Sequence, residues 1–310
     1  MRPWKNPRRW SKTCEPSSGS YADVLNLDHT VIVVDDIEQA TDNYRTLGFN
    51  VLAGGSHAGG RTANAVISFY DGSYIELLSF SSAAWRYGLR ALARVGLLER
   101  AFASRPRIER RFLAHGARAE GLADLALLCD NSKRTIGELQ SAGAFYEGPV
   151  PGGRRLPDGR DLAWEFAVPR SEDLPFLMSD VSARELRAPS GDACRHANGA
   201  GGIARVVIAV TDLDRSRLRF AAMKSSGLEP LAAGPTPGYI AEDGLRTAGF
   251  RLGSTELLLV ESEDSKNELG RHLDEHGEGP YEIELRTVSG AYRGTLNRRL
   301  AHGARIRMIA

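Results

Sequence analysis

The chain has 310 residues, enough for two domains and well above the size at which core burial becomes marginal. Hydrophobic content of 42% and charged content of 25% are those of an ordinary globular protein. Lys and Arg number 40 against 39 Asp and Glu, a net charge of +1, which argues against nucleic acid or an anionic membrane as a partner.

The N-terminus, MRPWKNPRRW, is basic and lacks the apolar stretch of a secretion signal. Residues 1–25 read as a disordered tail, with an Arg-bearing transit peptide as the alternative. No apolar run approaches transmembrane length. Cys14, Cys129 and Cys194 share no metal-type spacing, so they read as free thiols in a reducing, cytoplasmic setting.

From Leu27 the β-branched run LDHTVIVV predicts a strand, followed by a helix over Asp36 to Leu47 that ends at Gly48. Phe49 to Ala53 reads as a second strand, and GGSHAGG (54–60) as a glycine-rich turn or loop. A third strand covers Ala63 to Tyr70, Asp71-Gly72 is a hairpin dipeptide, and Ser73 to Phe80 makes a fourth strand. The unit is β-α-β-β-β. Ala84 to His115, rich in Leu, Ala and Arg, predicts amphipathic helices inserted as a cover. GLADLALLCDN, SKRTIGELQSAGA, DLAWEFAVP and LPFLMSD repeat the unit more faintly. DVSARELRAPSGDACRHANGAGG (180–202) is rich in Pro, Gly and Ser and reads as a linker over 181–202. AVTDLDRS…SGLEPLAAGP (209–235) restates VVDDIEQA…LGFNVLAGG (33–55) and closes with RTAGFRLGSTELLLVE. PYEIELRTV, GAYRGTLNRRLAHG and ARIRMIA then give a shortened β-α-β copy. Four units at irregular spacing predict a duplicated α+β fold, with one domain over 26–180 and another over 203–310.

Paired units with a His on the first strand and a Glu on the fourth resemble the vicinal-oxygen-chelate superfamily, and most closely its glyoxalase-like proteins. The resemblance is carried by LDHTVIVVDD, GGSHAGGRTANAVISF, DGSYIELLSF, GGRRLPDGRDLAW and RHANGAGGIARVVIAVTDL, and extends over nearly everything after residue 26. It implies βαβββ modules paired into two half-open barrels, on a fold that hosts lyases, isomerases, dioxygenases and metal-free binding proteins.

That fold sets the first strand beside the fourth. Neighbouring strands lie about 4.8 Å apart, so His29 and Glu76 could ligate one divalent ion, with Glu76 also serving as catalytic base. A carboxylate among Ile75, Leu77 and Leu78 needs a partner; a His–Glu hydrogen bond without metal is the alternative. Metal enzymes of the superfamily draw ligands from both paired units. Here alignment puts Ala123 and Phe176 opposite His29 and Glu76, and Arg205 and Leu257 at the same places in the third unit. Asp124 and Glu165 are the candidates for a third ligand, and Ala63 stands where some relatives carry a ligand-type residue.

His57 lies two strands from Glu76, roughly 10 Å in sheet spacing, too far for direct ligation without a loop fold-back. This predicts a role facing the substrate or supporting a ligand, with a loop His of no function as the alternative. Asn64 is placed to orient Glu76 or hold a substrate carbonyl, and Trp164-Glu165 to wall the pocket. The structural alternatives are an ordinary polar residue and a packed Trp. His196 is expected to tie the linker down, His272 and His276 to lie on a solvated helix end, and the Arg clusters at 107–111 and 298–299 to be solvated faces. No phosphate loop, Gly-x-Gly-x-x-Gly or Gly-x-Ser-x-Gly is present, so no nucleotide cofactor is expected. Two functions follow: a metal-assisted lyase, isomerase or related enzyme on a small carbonyl, enediol or phenolic metabolite, or a metal-free small-molecule-binding protein. Nothing in the sequence sets the oligomeric state.

Overall fold

A computed structural model of the chain describes residues 24–57, 61–232, 245–288 and 291–310. The expected tail lies outside the described residues except for Val24 and Leu25. Leu25 is already buried, and its N–H donates to the Ser226 carbonyl at 2.9 Å.

The first unit is β1 (Asn26–Val34), α1 (Ile37–Thr46), β2 (Leu52–His57), β3 (Thr62–Ser68) and β4 (Tyr74–Phe80). Asp36 caps α1 by accepting from the Glu38 and Gln39 amides, which satisfies donors that the helix itself leaves open. Three helices follow as the cover: α2 (Ala83–Arg94), α3 (Leu98–Ala101) and α4 (Arg107–Ala117). The second unit is β5 (Gly121–Leu128), α5 (Ser132–Ser141), β6 (Tyr146–Arg155), β7 (Asp161–Pro169) and β8 (Phe176–Asp180). These eight strands form a closed barrel in the order β1-β4-β3-β2-β6-β7-β8-β5. β1 runs parallel to β4 and antiparallel to β5, so both units meet along β1 and β5.

Strand alternation divides the apolar residues into two layers. Val31, Val33, Leu78, Phe80, Leu162, Trp164, Phe176 and Met178 form one cluster, joined by Ile108 and Phe112 of α4. Ile32, Val34, Ile75 and Leu77 belong instead to a larger core that includes Ala40 and Tyr44 of α1 and Ile203, Val206 and Ile208 of the second sheet.

The third unit is β9 (Ala200–Ala209), α6 (Leu213–Ala221), β10 (Leu228–Pro230), β11 (Leu245–Leu252) and β12 (Thr255–Ser262). After it come α7 (Glu268–His276), β13 (Gly279–Thr287), β14 (Gly294–Thr295) and β15 (Ile306–Ile309). The seven strands make one sheet, β10-β11-β12-β9-β13-β15-β14. The helix expected over GAYRGTLNRRLAHG is replaced by β14 and a series of turns. Asn297 accepts from the Arg299 and Leu300 amides, and His302 and Gly303 take positive φ (52° and 80°), which ends any right-handed helix there. No helix among the described residues is long and apolar enough to cross a membrane.

The 181–202 segment is packed rather than slack: Arg187, Cys194 and His196 are all buried. His196 accepts from the Asn50 amide at 3.0 Å, and its Nε2 lies 3.0 Å from the Ser68 carbonyl, which fastens the segment to the barrel.

In the second sheet Arg205 of β9 bridges Glu256 of β12 (2.8 Å) and Glu284 of β13 (3.0 Å). Substituting Arg205→Met leaves buried Glu284 with Arg307 as its remaining guanidinium. A loss on the order of 3 kcal/mol is expected in urea unfolding, with ligand binding by the barrel unchanged. Full stability, or lost ligand affinity at unchanged stability, would contradict this structural role.

Candidate functional site

Inside the barrel, the polar groups gather around one carboxylate. Glu76 on β4 is buried, and its Oε1 accepts from Asn64 Nδ2 of β3 at 2.5 Å. His29 Nε2 of β1 lies 3.5 Å from Glu76 Oε2, and His57 Nε2 of β2 lies 3.6 Å from Oε1. Each imidazole is held from behind. His29 Nδ1 donates to Asp28 Oδ2 at 2.6 Å, and its ring stacks on Tyr74 with centroids 4.5 Å apart. His57 Nδ1 is 2.9 Å from Thr62 Oγ1, and the ring meets Trp164 edge to face at 5.9 Å.

His57 therefore belongs to this cluster, contrary to the expectation from strand spacing. The 54–57 stretch is strand and not loop, because β2 runs Leu52–His57 rather than stopping at Ala53. Gly54 permits this: a Cβ there would lie 2.1 Å from Asn64 Oδ1 and 2.9 Å from Arg154 Nη1. A bulge between Ala53 and Gly55 then re-aims the strand. Side chains on the concave face of a closed barrel converge, so two strands' separation at the backbone does not persist at the tips.

Trp164 points inward, into the space left by Gly152 opposite it, where a Cβ would meet Trp164 Nε1 at 2.4 Å. Glu165, expected beside it in the pocket, alternates outward and accepts from the Ser132 hydroxyl at the start of α5. Asp124, the other candidate ligand, is engaged by α4: Arg111 donates to both carboxylate oxygens at 2.7 Å, and His115 Nε2 is 2.6 Å away. Arg111 is accordingly no part of a solvated face. His272 and His276 are also less solvated than expected; they stack at 4.6 Å and are half-buried, with burial and neighbouring cations pulling His272 down to about 3.

The observed register moves two expected equivalences by one residue. The caps Asp36, Asn131 and Asp212 follow His29, Asp124 and Arg205 at the same interval, so Asp124, not Ala123, corresponds to His29. Val31 pairs with Glu76 as Val207 pairs with Leu258, so Leu258, not Leu257, corresponds to Glu76. Phe176 keeps its assignment, since it pairs with Ala126, the counterpart of Val31.

Asp28, Arg184, Arg187 and Arg154 complete the site and escaped the sequence reading. Asp28 is fully buried and receives Arg187 at 2.5 and 3.0 Å and Arg184 at 2.7 Å. Arg187 also donates to the Tyr74 hydroxyl at 2.7 Å. Arg154 of β6 stands directly opposite His57 in the ladder and so shares its face. The signals were a carboxylate immediately before His29 and the alternation of GGRRL, which turns Arg154 inward and Arg155 out to Asp161.

These charges set the protonation states. Burial pushes the Glu76 carboxyl up, but the His29 hydrogen bond and the nearby His57 and Arg154 outweigh it and bring Glu76 down to about 2. Burial would lower His29, yet its bonds to Asp28 and Glu76 raise it above its ordinary value. His57 goes the other way: burial lowers it, Arg154 and His29 add to the effect, and Glu76 only partly offsets them. Burial also opposes the charge of Asp28, which Arg187 and His29 nonetheless hold well below the carboxylate range.

A divalent ion would draw on His29 and Glu76. Catalytic ions commonly take three protein ligands. His29 and His57 both approach Glu76, yet among the described residues no group of three His, Cys, Asp or Glu side chains is placed to hold an ion. The natural third donor, Asp124, already faces a guanidinium, and its partner position holds Phe176. Asp28 and Asp180 are paired with Arg184 and Arg187, which leaves neither free to ligate an ion. The residues present do not make a metal centre by themselves.

A family model for a glyoxalase-like domain matches residues 27–223, which span the whole barrel and the start of the second sheet. Among solved structures, a hypothetical protein from Staphylococcus aureus superposes with a TM-score of 0.66 at 12% identity, covering 92% of this chain and 99% of that one. A mutant of 4-hydroxymandelate synthase from Streptomyces coelicolor superposes with a TM-score of 0.52 at 14% identity, covering 86% of this chain and 71% of that one. At these identities the likeness is one of fold. No curated protein matches the sequence.

The lowered Glu76 group ties stability to acid. Its folded value of about 2 lies below the ordinary 4.5, so its contribution is full above about pH 4.5 and is lost as pH falls toward 2. The variant Glu76→Gln should lack this component, on the order of 3 kcal/mol, which would appear as a flatter midpoint-versus-pH curve below pH 4.5. Parallel curves for the two proteins would show that Glu76 is not held as an anion.

Proposed function

The chain belongs to the glyoxalase-like domain family, and on that footing we propose that its barrel moves a proton on a small carbonyl compound, as an isomerase or lyase does. The observation that carries this reading is the pair of histidines flanking Glu76, whose surroundings push them in opposite directions. Two titratable groups displaced apart by their environments are the usual mark of an acid and a base sharing one site. His57 is the base: it is kept neutral near pH 7, and its side chain is the most exposed of the three. His29 is the acid, drawn toward the imidazolium form by Asp28 and Glu76.

In the step this implies, a C–H bond beside the substrate carbonyl breaks and its proton goes to His57. The electron pair forms the C=C bond, and the carbonyl oxygen takes a proton supplied from His29 by way of Glu76. Where that carbon bears a hydroxyl, the intermediate is an enediol. His57 returns its proton to the former carbonyl carbon while the hydroxyl gives up its proton, by way of Glu76, to His29 and becomes the new carbonyl, which restores both histidines. Asn64 fixes the Glu76 carboxylate, and Trp164 walls the site against water. Glu76, pulled down to about 2, is too weakly basic at rest to abstract a carbon-bound proton and serves as the anion between the histidines.

The competing reading is a divalent ion on His29 and Glu76 with its shell completed by substrate or solvent. The Asp28–His29 hydrogen bond favours it, since such a bond aims the opposite nitrogen as metal ligands require.

Histidine NMR titration together with elemental analysis separates the two. The acid–base reading expects His57 to titrate below 6.5 and His29 above it, with Glu76→Gln lowering His29, and metal far below one per chain. Stoichiometric metal that disappears in His29→Ala, or two histidines that both titrate near 6.5, would overturn it.

A further inference from the structure

We infer that the ligand of this site carries a carboxylate, and that Arg154 is the residue that receives it. This rests on the barrel interior being the working site, as proposed above, and adds the charge of what enters it. Arg154 is 5% exposed, and its Nε is a buried donor with no hydrogen-bond partner among the described residues. The side-chain bond the structure does give it is a long one, from Nη2 to the Arg187 carbonyl at 3.4 Å. Among the described residues no carboxylate lies within ion-pair distance of it. The nearby acids are otherwise occupied: Glu76 by Asn64 and the two histidines, Asp28 and Asp180 by Arg184 and Arg187.

A buried guanidinium left this way is costly unless something completes it, and its planar fork of donors suits a carboxylate better than a neutral carbonyl. Position agrees with chemistry. Arg154 pairs with His57 across the β2–β6 ladder, and its Nη1 lies near the site of a Gly54 Cβ, beside Asn64. A carboxylate on Arg154 therefore brings the carbon next to it within reach of His57. Asn64 Oδ1, also buried and without a partner, can accept from a hydroxyl on the same molecule. The walls around this point, Trp164, Tyr74 and Phe176, favour an aromatic or otherwise flat remainder.

The test is isothermal titration calorimetry of the full chain with phenylacetate and with phenylacetamide, its uncharged counterpart. Wild type should prefer the carboxylate by roughly tenfold or more, as a charge-assisted bond implies. Arg154→Met should bind both alike, and Arg154→Lys should keep part of the preference; circular dichroism and melting temperature confirm that each variant is folded. Repeating the wild-type titration after chelation separates this inference from the ion reading. A preference that survives chelation and vanishes in Arg154→Met supports Arg154. A preference lost on chelation but kept in Arg154→Met overturns it, as does the absence of any preference in wild type. Histidine titrations play no part in these outcomes, so failure of the acid–base reading would leave this result standing.

Discussion

A carboxylate buried inside a closed barrel governs the arrangement of this molecule's first half. Glu76 has Ile75 and Leu77 in the large core behind it and Leu78 and Phe80 further along the strand, so little of it is open to water. Donors must come from the neighbouring strands, and they do: Asn64 from β3 and His29 from β1, with His57 of β2 3.6 Å away. Each donor then needs its own support. His29 is drawn toward the imidazolium form and so requires Asp28. Asp28, fully buried, requires Arg187 and Arg184 from the segment that follows β8. The segment between the two sheets is therefore ordered by a chain of charges that starts at Glu76.

The repeated units show three solutions to one positional problem. At the strand position of His29 stand Asp124 in the second unit and Arg205 in the third; at that of Glu76 stand Phe176 and Leu258. A buried charge persists at the first position in every one of these units, with its partner supplied differently: Asp28 for His29, Arg111 and His115 for Asp124, Glu256 and Glu284 for Arg205. In the second and third units these pairings satisfy the charge through neighbours alone. Around Glu76, by contrast, spare groups remain on two residues that share one place, the Arg154 Nε donor and the Asn64 Oδ1 acceptor.

Much of this was legible in the sequence, for reasons that are local. Strand and cap signals lie within a few residues of one another, so LDHTVIVVDD places β1, its histidine and the Asp36 cap together, and Asp71-Gly72 places the β3–β4 hairpin. Adjacency of His29 and Glu76 followed from unit order. What escaped depended on contacts that are distant in sequence. Gly54 and Gly55 read as a loop because their reason for being glycine is Asn64, Arg154 and the Arg155 carbonyl, which the chain reaches much later. The equivalence of Asp124 to His29 slipped by one because the apolar pattern of GLADLALL does not set which residue answers the histidine; the helix caps Asp36 and Asn131, at the same interval in both units, do. The final unit's helix failed because turn chemistry at Asn297 and a left-handed His302 override an otherwise helical composition.

The two segments that lie outside the repeated units decide what the barrel can do. At one end α4 sends Arg111 and His115 to Asp124, while Ile108 and Phe112 join the interior apolar cluster. At the other, Arg184 and Arg187 reach Asp28 and Asp180. Both segments supply cations to carboxylates of the barrel, and both use arginine, whose fork can bind two oxygens at once and stays charged when buried. Removing either would leave an anion in a low-dielectric interior, where an unpaired charge costs more than the packing around it returns. The barrel strands are thus a scaffold whose polar end is tuned from outside. Arg154 is the exception, a strand residue whose charge neither segment neutralises.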